Sequence, residues 1–220
     1  MEVVPASFLF RFAIPVSRVD RLPRPKAPLL SLPETCNVPW PGDIDGAASP
    51  AQLAMAWNPE GLAVQVTVQG KSGPVQVDPD AIPSSDGFLL WIDTRDTQSQ
   101  HRASRFCHLF AALPGGGGDS GDDPFVRQLP VPRAREDAPE APADSFLAET
   151  VLLKDGYRLS VWFPREALHG YDPATQNRLG FMIHLLDTEL GPHCFTVNAD
   201  FPFDADPSLW VSLELTDAKA

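Results

Sequence analysis

The densest collection of chemistry-bearing side chains runs from Asp93 to His108, where DTRDTQSQHRASRFCH holds two aspartates, three arginines, two histidines and a cysteine. Such groups ligate metals or hydrogen-bond a polar ligand when their side chains converge. On a strand, His101 and His108 are seven positions apart and face opposite sides, which weakens a joint metal site. Two uses remain. Arg102 and Arg105 pair with Asp93 or Asp96 at a turn between strands, with His108 in a satisfied polar pocket, or Asp93, His101, Arg102 and Arg105 touch a ligand.

The tryptophans offer a second kind of chemistry, because a sugar ring stacks its C–H face on an exposed aromatic surface. Trp57 shares a strand face with Leu53 and Met55 and belongs to the core. Trp162 falls in phase with Arg158 and Ser160, opposite Leu159, Val161 and Phe163. Trp210 likewise falls in phase with Ser212 and Glu214, and Trp91 with Asp93. Trp162, Trp210 and Trp91 therefore point away from the core side of their strands. They form an aromatic binding platform, or the proline-rich N-terminal segment or a short helix covers them.

Closely spaced loop carboxylates suit a hard cation, which makes calcium conceivable at Asp43 and Asp45, or at Asp200, Asp204 and Asp206. Neither group has EF-hand spacing, and Asx turns or strand caps are the commoner use of such residues, so no metal or cofactor is assigned. Four consecutive glycines, Gly115 to Gly118, lack the Lys-Ser/Thr that completes a phosphate loop and sit in acidic surroundings. With neither HExxH nor GxSxG in the chain, the expectation is a protein that is not an enzyme.

Composition narrows the partners. Lys plus Arg number 17 against 29 Asp plus Glu, a formal charge of −12 whose field repels nucleic-acid phosphates and anionic membrane surfaces. No run of about 18 uninterrupted apolar residues reads as a membrane span. Arg11 interrupts the apolar start, so Met1 to Pro15 is not read as a signal peptide. Cys36, Cys107 and Cys194 are far apart, odd in number and without a CxxC pair, which favours reduced thiols and a cytoplasmic location.

These side chains must be positioned by short strands. Twenty-four prolines, about twice the usual share, are hard to place in helices or central strands but fit many loops. SFLFRFA (7–13) alternates with Phe8, Phe10 and Phe12 on one side. Residues 16–41 are too proline-dense for regular structure and are expected to wrap over the body in extended form. QLAMAW and LAVQVTVQ flank a turn at Asn58-Pro59-Glu60-Gly61, and Leu62, Val64, Val66 and Val68 mark the core face. FLLWID (88–93) reads as a central strand, and RFCHLFAAL (105–113) places Phe106, His108 and Phe110 on one face. Residues 114–144 carry few core anchors and are expected to be a flexible Gly/Pro/Asp-rich insertion. FLAETVLL and YRLSVWF flank Lys154-Asp155-Gly156, a hairpin signal because an Asp-Gly pair accepts positive φ. Pro164 opens a helical turn that Gly170 stops, and strands at 179–186, 194–199 and 209–215 complete the set.

In order, IDG (44–46), AWNPEGLAVQVTV (56–68), SDGFLLWIDT (85–94), GYRLSVWFPREAL (156–168) and LGFMIHLLD (179–187) resemble family 9 carbohydrate-binding modules and the related DOMON-like sandwiches. The resemblance covers roughly Ile44 to Leu215. Leu89 and Ser160 stand where members of that family often carry glutamates. Chain length favours one domain over residues 1–220, and the resemblance implies an all-β, two-sheet antiparallel sandwich and a non-catalytic module that binds a saccharide. The alternative is a structural or protein-interaction sandwich with no carbohydrate ligand. A haem-binding DOMON-like reading would need Met182 and His184 as axial ligands, yet they share a strand face and do not bracket an iron.

Overall fold

The computed structural model describes residues 12–40, 49–197 and 200–217. Most of the 7–13 segment, the 44–46 tripeptide and the pair Asp43 and Asp45 lie outside these residues. The described elements are β1 (Ala13–Arg18), β2 (Asn37–Val38), β3 (Ala51–Asn58), β4 (Gly61–Gln69), β5 (Gly87–Asp93), β6 (Cys107–Gly117), β7 (Asp123–Leu129), β8 (Leu147–Leu153), β9 (Gly156–Pro164), β10 (Arg178–Leu186), β11 (His193–Cys194) and β12 (Val211–Thr216), with single 3-10 turns between some of them. The fold is all-β.

Hydrogen bonding runs without a break in the order β7-β6-β5-β10-β12-β1-β3-β4-β9-β8, with β11 on β10 and β2 on β3. β1 is the joint. Its first part pairs with β12 from Ala13↔Ser212 to Ser17↔Thr216, and its end pairs with β3 at Ser17↔Ala56 and Arg18↔Trp57. Both pairings are parallel, in contrast to the wholly antiparallel arrangement expected from sequence. The sheet folds over at this strand and its two halves face each other, so Phe110 of β6 lies 4.9 Å from Phe163 of β9 between ring centroids. The terminal strands β7 and β8 also come together, which gives the sheet a nearly barrel-like closure.

Alternation explains the interior. Leu62, Val64, Val66 and Val68 of β4 are all buried, as are Leu159, Val161 and Phe163 of β9, and each such side chain contributes roughly 1.5–3 kcal/mol on leaving water. Both expected hairpins form, and Gly61 and Gly156 have positive φ, at 155° and 159°, although they sit in the strands rather than in the turns. The two-residue turns are Pro59-Glu60 and Lys154-Asp155, while Gly61 and Gly156 are already paired in their strands, opposite Asn58 and Leu153. A Cβ at Gly61 would strike the carbonyl oxygen of Phe163, and one at Gly156 that of Val68. The neighbouring strand demands glycine at both places.

Residues 114–144, expected from the sequence as a flexible insertion, contain strand pairing and hydrogen-bonded ties. β6 continues through Gly117 and β7 pairs back on it, with a register shift between Leu113 and Gly116. Beyond β7, Arg102 donates to the carbonyls of Arg133 and Ala134, the Arg135 N–H donates to Ala103, and the Gln128 amide spans Pro139 and Ala141. Apolar anchors join these polar ties, with Val131 buried in the core and Val126, Leu129 and Ala134 packed against it.

The proline-rich segment lies on the outer face of β3, β4 and β9. Leu22, Leu30 and Cys36 pack there against Ala56, Ala63 and Trp162, and the buried Asn58 amide donates to the carbonyls of Val19 and Leu22.

Candidate functional site

The sequence-derived candidates do not converge. Trp162, Trp210 and Trp91 are only 3%, 2% and 1% exposed, so no tryptophan platform is presented to solvent. Trp91 and Trp162 lie on the outer faces of β5 and β9 as alternation indicates, whereas Trp210 ends the 3-10 turn before β12, and all three are covered. Trp162 lies beneath Leu22 and Leu30, and Trp210 donates its indole N–H to Phe203 O at 2.8 Å. Trp91 lies under the Phe203 ring and donates to Asp204 O at 3.2 Å.

The polar cluster is likewise dispersed. Asp93 is buried and accepts the backbone N–H groups of Arg95 and Thr97, closing the turn after β5. Burial raises its pKa against the opposing pull of those donors. His101 is exposed and meets Asp206 and Ser208, Arg102 ties down the loop after β7, and Arg105 reaches Glu136 at 3.9 Å. Neither Arg102 nor Arg105 forms the expected ion pair with Asp93 or Asp96. All three cysteines are unpaired, and burial pushes the Cys107 thiol up to about 12 and Cys194 up to about 11, so neither is an activated nucleophile. Among the described residues no group of three or more His, Cys, Asp or Glu side chains could hold a metal ion. Asp206 caps Ser208, while Asp200 and Asp204 lie elsewhere, at the mouth of a cleft.

That cleft, about 440 Å³, is lined by Leu89, Trp91, His184, Asp200, Phe201, Pro202, Phe203 and Asp204. Its floor is the outer face of two paired strands, with His184 of β10 opposite Leu89 of β5 and Met182 opposite Trp91. Residues 200–204 form the wall. Phe203 stands edge-on to both Trp91 and His184, at 5.5 and 5.6 Å between centroids. Phe201 is half-buried. Burial, with His193 adding to it, lowers the His184 pKa and holds the ring neutral at pH 7. Its Nε2 is buried without a hydrogen-bond partner.

The floor is held at both ends. Lys71 Nζ, buried, lies 2.9 Å from Asp187 Oδ1 just beyond β10 and 3.1 Å from Asp86 Oδ2 just before β5. Burial alone would lower the Lys71 pKa, but the two carboxylates outweigh it and the net shift is upward. Asp86 also accepts from the Gln76 and Thr188 backbones. At the far end Asp93 fixes the turn that leaves β5. An apolar floor, aromatic wall and carboxylate mouth, with no Lys or Arg in the lining, suit a neutral ligand that has one apolar face and several hydroxyls.

Phe201 and Phe203 were missed in the sequence, where FPF sits among turn-forming aspartates, and His184 was weighed only as a haem ligand. No protein-family model matches the chain, and no curated protein matches it. Solved structures do. One is a carbohydrate-binding module of family 9 from Caldicellulosiruptor kristjanssonii in complex with cellotriose, similar at TM-score 0.59 and 15% identity over 94% of this chain and 95% of that one. Another is a family 9 module from the same organism in complex with glucose, at TM-score 0.61 and 14% identity over 94% and 97%. The fold of this chain is therefore that of a family 9 carbohydrate-binding module.

Proposed function

We propose that the chain is a non-catalytic saccharide-binding domain, in which the folded-over sheet acts as a two-layer sandwich and the cleft over β5 and β10 holds the sugar. The observation that carries this reading is the cleft itself, where a half-buried Phe201 ring and an apolar floor adjoin carboxylates and an unpartnered imidazole nitrogen. A pyranose needs that combination, an aromatic surface for its C–H face and acceptors for its hydroxyls. The similarity to modules in complex with cellotriose and glucose supports it at the level of fold. The net charge of −12 supports a neutral ligand over nucleic acid or an anionic membrane, and the three free thiols support a reducing compartment such as the cytoplasm.

Titration with cellotriose and glucose by calorimetry tests the proposal. Phe201→Ala should weaken binding roughly two- to tenfold, the range set by one aromatic contact, in a protein that remains folded though less stable, since the ring also packs on the core. Binding that is indifferent to Phe201 would move the ligand elsewhere. The second reading, a protein-interaction domain with no sugar ligand, draws on Leu147 and Leu152, which β8 exposes to solvent. It requires that no saccharide perturb the cleft.

A further inference from the structure

We propose that Trp91 is a concealed stacking platform within this cleft and that the Phe203 ring is its gate, closed in the free protein and swung aside by the saccharide. The inference rests on the reading of the cleft as the sugar site. Its starting point is a conflict between position and exposure. Phe88, Leu90 and Ile92 face inward along β5, so Trp91, in alternate register, occupies the outer face with Leu89. An outer-face indole is expected to meet solvent. The Phe203 ring, perpendicular at 86°, covers it instead, while the Asp204 carbonyl accepts the N–H at the indole edge.

The cover is a side chain on a fixed backbone. Phe203 O accepts the buried Trp210 indole N–H, the Phe203 N–H bonds Phe201 O, and Ala205 N–H bonds Pro202 O. Just beyond, Asp206 caps Ser208 and meets His101. Rotation of one benzyl group therefore opens the site without unfolding the loop. The same ring stands edge-on to His184, whose Nε2 is buried without a partner. Leaving a buried polar atom unpaired disfavours the closed state, whereas a sugar hydroxyl in place of the ring supplies the missing bond. A pyranose is close to a phenyl ring in breadth and presents the apolar face that the indole requires. The ligand thus replaces one ring by another and gains a hydrogen bond.

A closed gate lowers apparent affinity by the fraction of molecules that are open, so removing the gate should strengthen binding. The experiment uses the full chain with cellotriose as probe, read by calorimetry and by tryptophan emission, for the native protein, Phe203→Ala, Phe203→Leu and Trp91→Phe, and for Trp91→Phe combined with Phe203→Ala. Phe203→Ala should red-shift the emission of the free protein and tighten cellotriose binding roughly two- to tenfold, the size of one aromatic pair contact. The tightening should vanish when Trp91→Phe is added. Should Phe203→Ala fail to fold, Phe203→Leu carries the test, with a smaller gain in the same direction. Weaker binding in a folded Phe203 variant would make Phe203 a fixed wall and overturn the gate while leaving the saccharide reading intact. Tightening that persists without the Trp91 indole would likewise overturn the platform. If neither the native protein nor any variant binds cellotriose, the saccharide reading falls and the gate falls with it.

Discussion

His108 shows how a residue with chemical potential can serve only the fold. The sequence placed it among arginines, aspartates and a second histidine, but its ring is fully buried, stacked on Phe110, with Nδ1 unpaired and Nε2 3.4 Å from His169 O. Burial lowers its pKa to about 4. The unfolded chain binds this proton near pH 6.5 and the folded one only near 4, so the neutral ring's contribution is complete above pH 6.5 and is lost progressively as pH falls to 4. The loss is on the order of 3 kcal/mol. Denaturant titrations of the native protein and His108→Gln at several pH values should show the difference in stability between them changing across that window. A constant difference would mean that the imidazole is not held neutral. Asp93 and Asp96, whose raised pKa values favour the folded state on acidification, act in the opposite sense and cancel in the comparison. Period-two alternation correctly assigned the side of the strand for Trp91 and Trp162 but not what lies above it. Coverage by Phe203 and by Leu22 and Leu30 depends on segments more than 100 residues away in the chain, and alternation carries no information about such contacts.

Among the elements, the hairpins were the most legible. Their strands and turns fell where β-branched alternation and Asn-Pro or Asp-Gly signals placed them, because both features are local. The positive φ of the glycines was local, but the close approach of the neighbouring strand that also demands them was not. Gly156→Ala should cost roughly 1–3 kcal/mol in chemical denaturation, since its Cβ would meet the backbone carbonyl of Val68, which cannot move without shifting β4. Saccharide affinity should be unchanged, because β9 lies in the other half of the sheet from β5 and β10. A substitution that is neutral in stability would show that β4 and β9 have room to separate. The same distinction accounts for residues 114–144. Glycine and proline content indicated an unanchored loop, while the pairing of β7 with β6, the tie from Arg102 outside the segment, and the Gln128 amide and buried Val131 within it hold the stretch in place. The parallel bridge made by β1 also escaped the sequence, because its partners, β12 and β3, lie far along the chain and its six residues border a proline-studded stretch.

For the whole molecule, a fold shared at 14–15% identity means that core pattern and topology persist while nearly every side chain differs. The proposed saccharide site then rests on the particular residues around the cleft, and these were the least legible part of the chain. His184 and Leu89 come from strands nearly 100 positions apart, and Phe201 and Phe203 from a loop without a motif. Of the two uses open for the polar cluster, its described contacts are turn and loop ties. The five tryptophans give a direct way to locate the ligand, because each indole N–H is a separate reporter and only Trp91 lines the cleft. The decisive measurement is a two-dimensional ¹H–¹⁵N spectrum of the intact protein titrated with cellotriose, with the indole signals assigned by single Trp→Phe variants. Saccharide binding at the cleft predicts that the Trp91 signal moves most, together with the amides of residues 201 and 203, while Trp57 and Trp162 stay fixed. Unmoved Trp91 and loop signals at saturating cellotriose, or a response centred on Trp57 or Trp162, would contradict it.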